Sequence, residues 1–232
     1  MKLPPFHLRV LGDAAPACRR FGLFLAGSHA LQAHGFAGRA SQDLDFATAC
    51  EIPLPWVAAE VAEELRRAGY EVKIIDVTLR KGRMTVADPI GGQAVELDLL
   101  REALQDEPLD TELCPVIGLD DAVALKTRAL HGRGLPRDFI DVASVAHLYP
   151  YRELERLCAL HDEEFSVAEL LLRLGSIQYH PDEAYEAYGL DADDIRRIRL
   201  FALAWADDIR LRRVEDGDSA TDFFELDEQD LT

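Results

Sequence analysis

The sequence predicts an α/β first half followed by an all-α second half. Three observations carry this reading. Short apolar runs with strand character, bounded by glycines, cluster before residue 101. Apolar residues at helical spacing dominate after Pro115. The 232 residues allow one large domain or two small ones at ~100–200 residues each.

The elements follow in order. Residues 11–20 read as a short helix and 21–26 as a buried strand. Gly27-Ser28 punctuates, residues 29–35 suit a short helix, and 43–47 a short strand. Residues 55–68 space Trp56, Val57, Val61 and Leu65 along a helix, with Gly69 as its stop. Strand-like runs follow at 70–77, 83–87 and 94–100, with turns at Gly82 and Gly91-Gly92. Residues 120–131 and 136–148 read as helices parted by the 132–134 turn, Pro136 suiting a first helical turn. Helical patterns continue at 151–161, 166–174, 181–188 and 191–213, the last with Phe201 and Trp205 on its apolar side. The expected organisation is a core over residues 1–114, a helical domain over 115–213 and a flexible acidic tail over 214–232.

Charge narrows the partners. The chain has 25 Lys+Arg against 43 Asp+Glu, net −18, with a pI near 4.7. Eight acids fall in residues 214–232, leaving −10 for residues 1–213. Such a surplus repels phosphate backbones at long range, so RNA capture needs a local basic face. Arg128, Arg133 and Arg137, and Arg196, Arg197 and Arg199, are the candidates. Cys18, Cys50, Cys114 and Cys158 are far apart and form no zinc-ribbon or redox pair. His29, His34, His131, His147, His161 and His180 show no metal-ligand spacing. With no ~18-residue apolar run and no secretory signature, reduced thiols and a cytoplasmic setting are expected.

The chemistry concentrates in two blocks. In the first, a buried strand runs into Gly27-Ser28 and a helix begins. Glycine admits a tight turn and close phosphate approach, the helix start offers free N–H groups, and Ser28 adds a hydroxyl. Asp43 and Asp45 alternate on a strand, so their carboxylates share a face. Two carboxylates beside a phosphate cradle suit Mg²⁺. On 94–100, Glu96 and Asp98 share the face opposite Val95, Leu97 and Leu99, and either could complete a triad able to hold two metals. In the second block, Lys126 sits among Ala122, Val123, Ala124, Leu125 and Ala129, where a charged head needs a partner. Asp138 and Asp141 share a helix face, and Arg137–Asp141 has the spacing of a plain i,i+4 ion pair. Ser41 suits either a ligand contact or its own turn.

These blocks resemble a known family. Gly27-Ser28-His29-Ala30-Leu31 followed by Arg39-Ala40-Ser41-Gln42-Asp43-Leu44-Asp45-Phe46, then Lys126, Arg133 and Arg137-Asp138-Phe139-Ile140-Asp141, is similar to the AbiEii/AbiGii nucleotidyltransferase toxins of abortive-infection and type IV toxin–antitoxin systems. The match covers residues 24–145, within the nucleotidyltransferase-β superfold. The resemblance implies a small mixed-sheet nucleotidyltransferase domain whose active site a helical domain completes. It implies Mg²⁺-dependent transfer from an NTP to a tRNA 3′ end or protein hydroxyl, and an antitoxin partner. It assigns Asp43, Asp45, Lys126 and Asp141 to catalysis and Gly27, Ser28, Ser41 and Lys126 to the nucleotide. It assigns Asp43, Asp45 and, as an Asp, Asp98 to metal. Lys126 and Asp141 are then expected to act on the nucleotide rather than on the fold. The alternatives are a small-molecule (antibiotic) nucleotidyltransferase and a catalytically decayed binding protein.

Overall fold

A computed structural model describes residues 3–36, 39 and 41–215; the acidic segment after Glu215 lies outside the described residues. Helix α1 spans Pro5–Phe21 and starts six residues earlier than its pattern suggests. Gly12 and Pro16 look like breakers, but the face formed by Phe6, Val10, Leu11, Ala14 and Cys18 is buried, and that packing carries the helix through them. Gly22, left-handed at φ 53°, closes α1 by donating to the Cys18 carbonyl. Phe21 therefore ends a helix, and the predicted strand shrinks to β1, Phe24–Leu25.

Helix α2 is Gly27–Ala33 and β2 is Leu44–Thr48. Helix α3, Leu54–Arg67, buries Leu54, Val57, Ala58, Val61, Ala62 and Leu65. Trp56, expected on that face, is 53% exposed, because it lies off the arc the others define. Strands β3 (Glu71–Val77), β4 (Lys81–Ala87) and β5 (Ala94–Arg101) fall close to their expected places. The helices of the second half are α4 (Leu119–Arg133), α5 (Pro136–Ala143), α6 (Tyr151–His161), α7 (Val167–Gly175), α8 (Glu183–Glu186) and α9 (Ala192–Glu215). Residues 144–148, expected in α5, form turns.

The result is a mixed α/β molecule with a five-stranded sheet ordered β1-β2-β5-β4-β3. β2 and β5 are parallel and the other pairs antiparallel. Two features position the site. Asp45 and Asp98 are register partners across β2 and β5. Leu25 bonds both neighbours of Val116, taking the Pro115 carbonyl at 2.9 Å and receiving the Ile117 N–H at 3.0 Å. That bridge leads the chain into α4, which packs on α2. No helix among the described residues is long and apolar enough to cross a membrane.

Candidate active site

The two sequence blocks meet at Ser28. Its hydroxyl lies 3.1 Å from the Asp141 carboxylate and 3.1 Å from Lys126 Nζ, so α2, α4 and α5 converge on one atom. Lys126 Nζ is 2.7 Å from Asp141 Oδ2. Arg39 completes the cluster: Nε and Nη2 each donate to Asp141 at 2.6 Å, and Nη2 also donates to Ser28 Oγ. All four side chains are buried, Asp141 completely. Burial alone would raise the Asp141 carboxyl, but Lys126 and Arg39 together hold it below the usual carboxylate range.

This corrects the i,i+4 reading of α5. Asp141 pairs with Arg39 and Lys126 rather than with Arg137. Asp138 turns the other way, accepting two bonds from Arg133 at 2.8 Å and one from the Leu135 N–H at 3.1 Å, which caps α5. Arg137 has no ion-pair partner among the described residues, and its Nε is buried without a hydrogen bond.

Above the cluster opens a cavity of about 420 Å³, a size that takes a small ligand. Ser28, Ser41, Asp43, Asp45, Asp98 and Lys126 all line it. Asp141 does not; it supports the wall from behind. Glu96 is exposed and outside the lining, because the Asp98 end of β5 is the part beside β2. Six cations (Arg39, Lys81, Arg83, Lys126, Arg133 and Arg137) and three acids border the space. A chain with a net charge of −18 thus collects a basic surplus at one place.

The three acids differ. Asp43 and Asp45 have no hydrogen bond or ion pair to their carboxylates among the described residues. Asp98 is held by Arg83, Nε to Oδ1 and Nη2 to Oδ2, each 2.7 Å. Burial and the Asp98 and Asp43 charges raise the Asp45 carboxyl above its ordinary value, against the pull of Lys126. Gly27 is required here: at φ 63° a Cβ would lie 2.0 Å from Asp45 Oδ2. The missing side chain lets the carboxylate approach the Gly27-Ser28 turn.

A divalent cation fits this donor set. Two unpaired carboxylates with oxygen-only chemistry, one of them destabilised by burial and by like charge, offer what Mg²⁺ uses alongside substrate phosphates. Among the described residues no three His, Cys, Asp or Glu side chains converge as a ready-made cage. The fit is therefore to a two-carboxylate site that a ligand's oxygens complete.

Arg39 and Arg83 were not singled out from sequence. Arg39 had a signal: it is the only Lys or Arg between Arg20 and Arg66. Arg83 had none, because its meaning depends on the β4–β5 register.

A carboxylate pair beneath a cationic cavity, reached from a Gly-Ser turn, sits here on the fold of the nucleotidyltransferases. MenT4, a nucleotidyltransferase toxin from Mycobacterium tuberculosis H37Rv, matches at TM-score 0.55 and 19% identity, over 91% of this chain and 90% of its own. A candidate nucleotidyltransferase from H. pylori matches at TM-score 0.57 and 16% identity, over 90% and 99%. JHP933 from Helicobacter pylori gives 0.53 and 18%, over 93% and 98%. At these identities the likeness is one of fold. The family model of the AbiEii nucleotidyl transferase toxin of type IV toxin–antitoxin systems matches residues 22–215. The chain belongs to this family and is a nucleotidyltransferase. No curated protein sequence matches it.

Proposed function

We propose that the protein transfers a nucleotide from an NTP to a macromolecular acceptor, a tRNA 3′ end or a protein hydroxyl, as the toxin of a bacterial toxin–antitoxin or abortive-infection pair. One observation carries the reading: Asp43 and Asp45, the acids left unpaired, face a cavity bordered by six cations in a protein with a net charge of −18. Asp43 and Asp45 would hold Mg²⁺ with the triphosphate; when bound, the ion neutralises phosphate charge and polarises the reacting phosphorus. Asp98 is the third carboxylate beside them. Ser28, Ser41 and Lys126 bind phosphate oxygens, with Gly27 leaving room for their approach. Asp141 positions Lys126 and Arg39. The helical residues 115–213 thereby complete a site whose carboxylates come from residues 1–114. The work takes place in the cytoplasm, where NTPs and an antitoxin partner are at hand.

A second reading has its own support. The arginines expected to form an RNA-binding face are mostly committed to local acids. Arg128 pairs with Glu102, Arg133 with Asp138, Arg196 with Asp193, Arg197 with Asp194 and Arg199 with Asp182. That pairing weakens long-range capture of RNA and favours a small acceptor, such as an antibiotic hydroxyl. The test is labelling. The protein is incubated with each α-³²P NTP, Mg²⁺ and either total RNA, lysate protein or an aminoglycoside. Label in RNA or protein, lost in Asp43→Asn, supports the first reading. Label confined to the small molecule moves the assignment to the second, and label in none removes both.

A further inference from the structure

The unequal state of the three cavity acids bears on how many cations the site carries, an inference that rests on the nucleotidyltransferase reading above. Asp45 on β2, Asp98 on β5 and Arg83 on β4 are register partners in turn, so one row across three strands reads acid, acid, base. Side chains of register partners share a face, and here all three line the cavity. Asp98 is only 6% exposed and both its oxygens are used. Arg83 takes one oxygen with Nε and the other with Nη2, and Lys81 Nζ stands 3.4 Å from Oδ2. The remaining Arg83 nitrogen, Nη1, lies 3.3 Å from Glu96 Oε2.

A fork-to-fork pair of this kind is the strong form of an Arg–carboxylate bond. For Asp98 to ligate a metal, it must give up two charge-assisted hydrogen bonds. Arg83 would then stand unpaired beside an incoming dication. Nothing requires that exchange, because Mg²⁺ is satisfied by one or two carboxylates, phosphate oxygens and water. Asp43 and Asp45 are the acids with open lone pairs, and no three-ligand cage exists among the described residues.

We propose that the site holds a single divalent ion, on Asp43 and Asp45, and that the guanidinium of Arg83, anchored on Asp98, stands where a second metal would. Arg83 then supplies fixed positive charge to the cavity, preorganised by the sheet rather than recruited from solution. Asp98 is a positioning residue for Arg83, and Lys81 reinforces it.

The test counts metal rather than turnover. Mn²⁺ is equilibrated by dialysis against protein with an equimolar non-hydrolysable NTP analogue, with the analogue alone as control, and bound ion is measured per chain. The wild type is expected to bind one. Arg83→Gln, which frees Asp98, is expected to bind two. Arg83→Lys, which keeps a cation on Asp98, is expected to stay at one, as is Asp98→Asn. Melting curves establish that each variant is folded, and the lysine and asparagine variants decide the question if the glutamine variant is not. Two ions in the wild type, one in folded Arg83→Gln, or loss of the ion in Asp98→Asn overturns the proposal. Those results leave the Asp43/Asp45 site standing. Zero ions in the wild type, or a count unchanged by Asp45→Asn, removes that site and this inference with it.

Discussion

Lys126 Nζ lies 2.7 Å from Asp141 Oδ2, and the lysine shares that carboxylate with Arg39. One buried anion thus answers two buried cations, and α4, α5 and the segment before β2 are tied at one point. Lys126 and Asp141 therefore belong to a buried charge network that ties the fold together, whereas the family resemblance led to the expectation that they serve the nucleotide rather than the fold.

Asp141→Ala leaves Arg39 and Lys126 without their shared acid. Removing one partner of a buried pair costs ~3–5 kcal/mol, or a fall in melting temperature of ~2–4 °C per kcal/mol for a protein of this size. Lys126→Ala leaves Asp141 paired to Arg39 and costs less, ~1.5–3 kcal/mol for a charged hydrogen bond. Both variants should lose transfer. Calorimetry that ranks Lys126→Ala as the more destabilised would show that Asp141 is not the hub.

Asp45→Asn should stabilise the metal-free protein at neutral pH while abolishing transfer. Burial and the neighbouring carboxylates raise the Asp45 carboxyl in the folded state. A raised acid binds more protons folded than unfolded, so its contribution to stability falls as pH rises from ~3.9 through the folded pKa. The variant's advantage should therefore be present at pH 7 and vanish near pH 4. Mg²⁺ with an NTP analogue should stabilise the wild type only, by ~2.7 kcal/mol at a hundredfold excess over Kd, read as a higher melting temperature.

Gly27→Ala should remove transfer and lower stability. The new Cβ would lie 2.0 Å from Asp45 Oδ2 in a left-handed backbone, a strain of ~1–3 kcal/mol. Loss of Mn²⁺ binding in the folded variant is the confirming measurement. Wild-type binding would mean that the Asp45 carboxylate does not need the space.

The acid limb of stability should trace to His29. The residue is 1% exposed, and burial, aided by the charge of His7, lowers its pKa to about 4. The unfolded chain binds the proton near ~6.5. Stability is therefore full above that value and drains away as pH falls toward 4. Denaturant titrations at pH 7 and 4.5 should differ by ~2–3 kcal/mol more in the wild type than in His29→Leu. Equal differences would place the acid limb elsewhere.

Much of the fold was legible in advance. The strands β2 to β5 and the helices α3, α4, α6 and α9 fall close to where their runs and spacings of apolar residues place them. The failures were at ends. Residues 11–20 understated α1, since the stretch from Pro5 is held in the helix by the burial of Phe6, His7 and Val10, which only the packing reveals. Phe21 is as apolar as a strand residue, and only the left-handed Gly22 reveals that it closes a helix.

By itself the sequence determined the family to which the chain belongs and supplied the two blocks of candidate site residues. Gly27-Ser28, Asp43-x-Asp45, Lys126 and Asp141 are spaced by local geometry, and local geometry is written in the chain. Tertiary structure alone decided the pairings. Arg39 closes on Asp141 across 102 residues, Lys126 on Ser28 across 98 and Arg83 on Asp98 across 15. These contacts divide the acids into two that are spent on arginine or lysine and two that stay open. The reason is electrostatic: each buried charge takes whichever partner the packing of the strands and helices brings within reach, and the spacing of residues along a chain does not contain that distance.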